Sequence, residues 1–479
     1  MSKGIALLVV AGLLLFSPPG ERSAQAGTFP DAAMKPLPGW TGPVFELSQN
    51  YPRARPKPEQ YPWKQYDFRT QWREYMMSVL RYCSEGNLEV DWVVQKNKVR
   101  RWYHAPWLHW GLNGREFIHG LTRERVSEPQ ELAPTQTSRA QNWAVGIYNE
   151  PGGYVIGRVW RDPQKPDPSR ADFPDGTAAI KLLFTEASVE QVPYLRGSKE
   201  WQGYIYQNVI TPLDPLLSMG SAPQMPRVVK TLRLLQIDIA VRDSRADATS
   251  GWVFGTFTYN VNAPGNTDWD RIVPVGLMWG NDPGVTAERI QSGTKLQQTI
   301  INPSPDLPRQ HLGWGGRLDG PVDNPMSSCL SCHSTAQSPT DTPLLPPAEV
   351  TPGSPEWMRW FRNIKAGEPF SPDHQSLNYS LQLTAGIQKF RVWKEIATTQ
   401  GGAFNASPDE RSRHNRRRNY PVTRQGDEPS SPESPIEPVT PAQGDGSRSM
   451  RSWVTPLGVL VPFVPGALLA LALWRPRGR

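Results

Sequence analysis

Apolar positions change period along this chain, and the changes mark its elements. Trp72, Tyr75, Met76, Val79, Leu80 and Tyr82 recur at helical spacing and predict a helix from about Thr70 to Cys83, with Gly86 as its stop. From about 140 to 280 the period shortens to that of strands. Asn142–Tyr148 and Gly153–Trp160 flank Asn149-Glu150-Pro151-Gly152, which reads as a hairpin turn. Ala178–Phe184, Leu232–Val241 and Trp252–Tyr259 read as further strands, with Asp238, Arg242 and Asp243 expected as ion pairs at the sheet edge. Helices return at Glu356–Ile364 and from about Ser380 to Thr398. The expected fold class is α+β: an antiparallel, β-rich central region over 101–300, with helices around it.

The ends follow other rules. Met1-Ser2-Lys3, the apolar run Ile5–Phe16 and Ala24-Gln25-Ala26 have the layout of a secretory signal peptide over 1–26. That run is too short to cross a bilayer, which takes about 20 residues. Residues 27–100 hold a proline-rich arm and the first helix, and 301–400 follow the sheet. Residues 401–452 are Gly, Ser, Pro and charge with no apolar period, a tether. Residues 453–479 hold an uncharged stretch, Val454–Trp474, bracketed by arginines, which reads as a C-terminal apolar helix serving as membrane anchor or as a sorting tail. Pro456, Pro462 and Pro465 weaken that helix, and a buried apolar helix is the competing reading.

Composition adds little until the rare residues are considered. The net charge of +7 sits largely in the run Arg411–Arg418, whose surroundings mark it as solvated chain, and export excludes nucleic acid as its partner. The 19 Trp, 14 Tyr and 14 Phe suit a core that closes over a large flat group, and they equally suit ordinary packing. The chain has 3 Cys and 7 His. Cys83 falls on the predicted first helix and reads as a buried, inert thiol.

The other two cysteines stand in Cys329-Leu330-Ser331-Cys332-His333. This C-x-x-C-H spacing is that of c-type haem attachment. Two thiols three positions apart can each form a thioether with one vinyl group of the same porphyrin, and His333 then lies beneath the iron as its proximal ligand. Its other ring nitrogen is expected to donate to a backbone carbonyl, with Pro339 the nearest source. Zinc is the chemical competitor, with Cys329, Cys332, His104 and His109 as a Cys2His2 set. Pro106 between the two histidines argues against a shared helix face.

Residues 325–340 resemble the attachment segment of c-type cytochromes. Over 172–335 the chain also resembles the β-sheet cytochromes, a group that includes cytochrome c′-beta and the hydroxylamine-oxidising enzymes with a lysine cross-linked to haem. Asp172-Phe173-Pro174-Asp175-Gly176-Thr177, Gly251-Trp252-Val253-Phe254-Gly255 and the C-x-x-C-H run carry that likeness. The segment between strand and haem motif is longer here, and Lys181 is near the family's pattern without matching it.

The resemblance implies one covalent haem c and, by default, electron transfer. Met358 is the first candidate for the sixth iron ligand and His104 the alternative; a core methionine and a structural histidine are the competing readings. An open sixth site would instead imply a haem enzyme or gas-binding protein acting on hydroxylamine, NO or peroxide, with Glu186, Arg158 and Tyr154 as residues on strands that can face it. The expected partners are a redox protein, the haem-attachment machinery and, through 454–474, the membrane. The expected location is the periplasmic side of the cytoplasmic membrane.

Overall fold

The computed structural model describes residues 29–33, 42, 44–111, 114–115, 119–206, 227–304 and 312–399. The expected signal peptide, tether and C-terminal segment lie outside the described residues. All described residues belong to one compact unit. Among them, no helix is long and apolar enough to cross a membrane.

The centre is an antiparallel sheet of eight strands. In chain order these are β1 (Thr122–Ser127), β2 (Ala140–Tyr148), β3 (Ala178–Thr185), β4 (Glu200–Tyr206), β5 (Arg227–Arg242), β6 (Trp252–Tyr259), β7 (Ile272–Met278) and β8 (Thr299–Ile301). The spatial order is β8-β7-β6-β5-β3-β2-β1, with β4 added to β5. Arg233 pairs with Thr185 of β3 and with Glu200 of β4, so β4 extends the edge of β5 that β6 occupies further along.

Alternation along each strand sends its side chains to two different cores. On one face Ile180, Leu182, Ile237, Ile239, Val241, Val253 and Leu277 form a dry core with the first helix, α1 (Trp72–Ser84). Gly255 admits that helix: a Cβ there would stand 2.9 Å from the Met76 methyl. Cys83 is buried in this core, and burial pushes its thiol well above its usual range. On the other face, Tyr148, Phe254 and Met278 pack with α2 (Glu150–Val159), α3 (Cys329–His333) and α4 (Leu381–Thr399).

Three expectations need correction. Asn149–Gly152 starts a helix, α2, and not a hairpin. Asn149 is its N-cap, accepting from Gly152 N at 3.4 Å and Ala178 N at 3.0 Å, while Pro151 sits in the first turn, where no backbone donor is missed. Asn, Pro and Gly serve a cap as well as a turn, and Val155, Ile156 and Val159 lie on one helical face. Tyr154 and Arg158 are consequently helical, and Glu186 is taken up by Lys230 and the Trp143 indole. Glu356–Ile364 narrows to a 3-10 turn, Trp357–Phe361, because Trp357, Trp360 and Phe361 insert into one small cluster. Asp238 is not at an edge, since β5 is flanked by β3 and β6 at that position.

Candidate functional site

The C-x-x-C-H run forms one isolated helical turn, α3, held by its cap. Ser328 Oγ accepts from Ser331 N at 3.1 Å, and Ser331 Oγ accepts from Ser328 N at 2.8 Å, a reciprocal capping box. Ser328 Oγ also donates to Asn281 Oδ1 at 2.8 Å, and Cys329 N donates to Leu318 O at 3.1 Å. The side chain of Leu330 is fully buried and anchors the turn in the core. Helical spacing therefore places Cys329, Cys332 and His333 along one side of a single fixed turn.

His333 is oriented by its second nitrogen. Its Nδ1–H donates to Tyr379 O at 2.9 Å, not to Pro339 as the sequence led us to expect. The reason is tertiary. Just after the motif, Gln337–Ser338 pairs antiparallel with Gln375–Ser376, and Leu377 N donates to Ala336 O at 2.8 Å. This ladder brings the 375–380 segment beneath the imidazole, while Pro339 is carried past it. Asn378 and Tyr379 adopt positive φ, +51° and +66°, which turns the Tyr379 carbonyl inward, and Trp252 Nε1 fixes Asn378 Oδ1 at 2.9 Å. Phe254 of β6 backs the ring at 4.7 Å between centroids. Burial lowers the His333 pKa to about 4, partly offset by the Tyr379 carbonyl, so the imidazole is neutral and Nε2 carries a free lone pair.

The sheet face opposite this turn is unusually small and polar for the middle of a sheet. One transverse row runs Gly146, Lys181, Asp238, Thr256 and Gly276; the next runs Tyr148, Ala179, Ala240, Phe254 and Met278. Gly146, Ala179, Lys181, Asp238 and Ala240 keep part of their surface accessible, as do Cys332 and His333, although all lie among packed elements. From Gly146 to Thr256 this floor spans three inter-strand steps, roughly 14 Å. The Gln382 amide of α4 packs over Gly146, where a Cβ would meet it at 2.6 Å and require that side chain to shift.

Charge gathers on the floor. Lys181 Nζ pairs with Glu124 at 2.9 Å; burial opposes its charge, but Glu124, Asp323 and Asp238 hold its pKa above the usual lysine range. Gln236 Nε2 donates to both Asp238 and Asp323 at 2.8 Å. Thr256 Oγ1 donates to Asp238 at 2.9 Å and stands 3.9 Å from Cys329 Sγ. Burial, with Asp323 adding to it, raises the Asp238 pKa to about 7. Burial also pushes the Cys332 thiol up to about 12 and raises the Cys329 thiol well above its usual range, so both are protonated, and neither is in a disulfide.

These donors match what a covalently attached haem requires: two unpaired thiols and a neutral, oriented imidazole on one turn, facing a floor of small side chains. Such a group would be held by Cys329, Cys332 and His333, with Phe254 packed against the His333 ring. The zinc alternative is not assembled, since no group of three or more His, Cys, Asp or Glu among the described residues could hold a metal.

Neither expected sixth ligand lies on the attachment turn itself. His104 is fully buried, with Nδ1 3.3 Å from His109 Nε2. A turn through Trp107, at φ +65°, brings the two histidines together without a helix. Burial lowers the His104 pKa to about 4, against a raising contact from Gly146. Its neighbour Gly146 is three strands from Phe254, on which His333 rests, whereas ligands across one iron stand about 4 Å apart. Met358 packs at the margin of a cluster formed by Val350, Trp357, Trp360, Phe361, Ile364 and Phe370, in a turn that adjoins α3.

Sequence reasoning missed Tyr379 as the carbonyl acceptor for His333 and missed the Asp238, Asp319 and Asp323 group. A signal for Asp238 was present: it interrupts the apolar strand Leu235–Val241 in the same alternating set as Gln236 and Ala240. No family model, curated protein or solved structure matches the chain.

Proposed function

We propose that this chain is an exported c-type cytochrome carrying one covalently attached haem, ligated by His333, and that it acts in electron transfer. One observation carries the reading: C-x-x-C-H lies on a capped turn whose histidine is neutral, tied through Nδ1 to Tyr379 O, with Nε2 free for iron. The haem supplies a centre that accepts and returns one electron. The protein's part is to hold it: Cys329 and Cys332 fix the porphyrin edge, the Tyr379 carbonyl sets the imidazole plane, and Leu330 and Phe254 exclude water from that side. The sheet gives these groups a rigid base. Met358 remains the first candidate for the sixth ligand. A redox protein outside the cytoplasmic membrane is the expected partner, and residues 454–474 the expected tether.

A second reading has its own observation. Lys181 and Asp238 are ionisable, partly accessible and on the floor beside the motif, as a haem enzyme or gas-binding protein with an open distal side requires. Absorption spectra of the full chain, expressed with haem-attachment machinery, separate the two. A low-spin spectrum indifferent to CO supports the carrier, and Met358→Ala should then convert it to high spin. A high-spin spectrum that shifts with CO supports the open site. Absence of acid-stable haem in a host that matures a control cytochrome, or its persistence in the double variant Cys329→Ala/Cys332→Ala, overturns both.

A further inference from the structure

Beside the attachment turn lies a group of carboxyls that electron transfer alone does not require. Asp238 of β5 and Asp323 share the single amide of Gln236, at 2.8 Å each, while Gln236 Oε1 accepts from Val322 N at 2.9 Å. Asp319 accepts from Ser327 Oγ at 2.9 Å, and the nearby Asp323 adds to burial in pushing its carboxyl well above the usual range. Carboxylates offer only acceptors, so a buried group of them gains by taking up a proton.

The surroundings do not neutralise the group. Lys181 of β3 faces Asp238 across the ladder but is shared with Glu124 of β1. From the motif the group faces the neutral thiols of Cys329 and Cys332 and the neutral His333. Lys389 of α4 donates to Leu108 O and bears on Glu124 rather than on the aspartates. The group reaches the attachment site through Thr256, whose hydroxyl touches both Asp238 and Cys329 Sγ.

We propose that Asp238, Asp319 and Asp323 form a proton-binding site coupled to the haem, so that each electron taken up is accompanied by one proton. This rests on the haem-carrying reading above. The step balances simply: a one-electron donor protein reduces ferric to ferrous iron, and one carboxylate of the group takes one proton from solvent to become a carboxylic acid. Reoxidation by an acceptor releases that proton. No other bond forms or breaks. Loss of one positive charge at the iron strengthens the carboxylates' hold on a proton through the low-dielectric interior between them. The ordinary value of the Asp238 pKa is already displaced towards neutrality, where the coupling has its effect.

The test is spectroelectrochemistry of the haem-loaded full chain between pH 5 and 9. Wild type should show a reduction potential that falls with pH, approaching about 59 mV per unit, the value for one proton per electron. Asp238→Asn and Asp319→Asn should flatten that slope, while Asp243→Asn, just past the end of β5 and outside the group, should leave it intact. Infrared difference spectra of reduced minus oxidised wild type should show a carboxylic-acid band that Asp238→Asn or Asp319→Asn shifts or removes. Thr256→Val, which strips Asp238 of a donor while keeping shape, should move the pH midpoint upward, and it serves if the aspartate variants fail to fold. A flat potential in haem-loaded wild type, or a slope and band unchanged in these variants because the proton goes to the haem propionates, overturns the proposal and leaves the cytochrome reading standing. Failure to load haem overturns the cytochrome reading first.

Discussion

Asp243→Asn should remove a quantifiable part of this fold's stability, and only above a defined pH. Asp243 lies at the end of β5 with its side chain fully buried. Its carboxylate accepts from Arg245 at 2.7 Å, Lys64 at 3.0 Å and the Tyr75 hydroxyl at 3.1 Å, which locks the N-terminal segment and α1 onto the sheet. Burial works against the charge, but Arg245 and Lys64 overcome it and lower the pKa from 3.8 to about 2. A depressed carboxyl contributes stability above its unfolded pKa and loses it as pH falls through the folded value. The drop corresponds to about 2.5 kcal/mol at neutral pH, and about half of that should be gone at pH 3. Asparagine keeps the shape but removes the charge from two cations that stay in place, so the variant should lose about 2–4 kcal/mol at pH 7. Urea denaturation of both proteins at pH 7, 5, 4 and 3 measures this. The gap between them should be constant from pH 7 to 5 and narrow below pH 4. A gap under about 1 kcal/mol at pH 7, or one that does not narrow, would refute the assignment of Asp243 as a buried, ionised clamp.

Other outcomes follow from the same geometry. Leu330→Ala should cost about 2–5 kcal/mol, read by denaturant midpoint, because the side chain is fully buried and its removal leaves a cavity beneath the attachment turn. Ser328→Ala should cost about 0.5–2 kcal/mol through loss of the cap and lower the yield of covalent haem, assayed by haem stain against total protein. Cys83 should resist a thiol reagent in the native protein and react fully in denaturant, since burial holds its thiol neutral and out of reach. Gly176→Ala should lower the melting temperature by several degrees, because φ is +87° and a Cβ would collide with the Tyr61 ring at 1.9 Å.

Local chemistry was legible in the sequence wherever neighbours along the chain decide it. The period of two placed four of the central strands, and the helical period placed α1 and α4 to within a few residues, because an element's buried face repeats with its own geometry. The C-x-x-C-H run likewise defines its own thiols and histidine, since all three sit on one turn. The hairpin expected at Asn149–Gly152 failed where two local chemistries coincide: a cap and a turn use the same residues, and only packing of Val155, Ile156 and Val159 against the sheet selects the helix. What the tertiary structure alone decided are the partners that strand order and loop pairing bring from afar. Tyr379 reaches His333 across 46 positions because two short strands pair behind the motif, and Asp323 meets Asp238 through the Gln236 amide that both accept from. No periodicity encodes such meetings, because a hydrogen bond or a shared proton depends on distances of a few ångströms that are set only when separate elements pack.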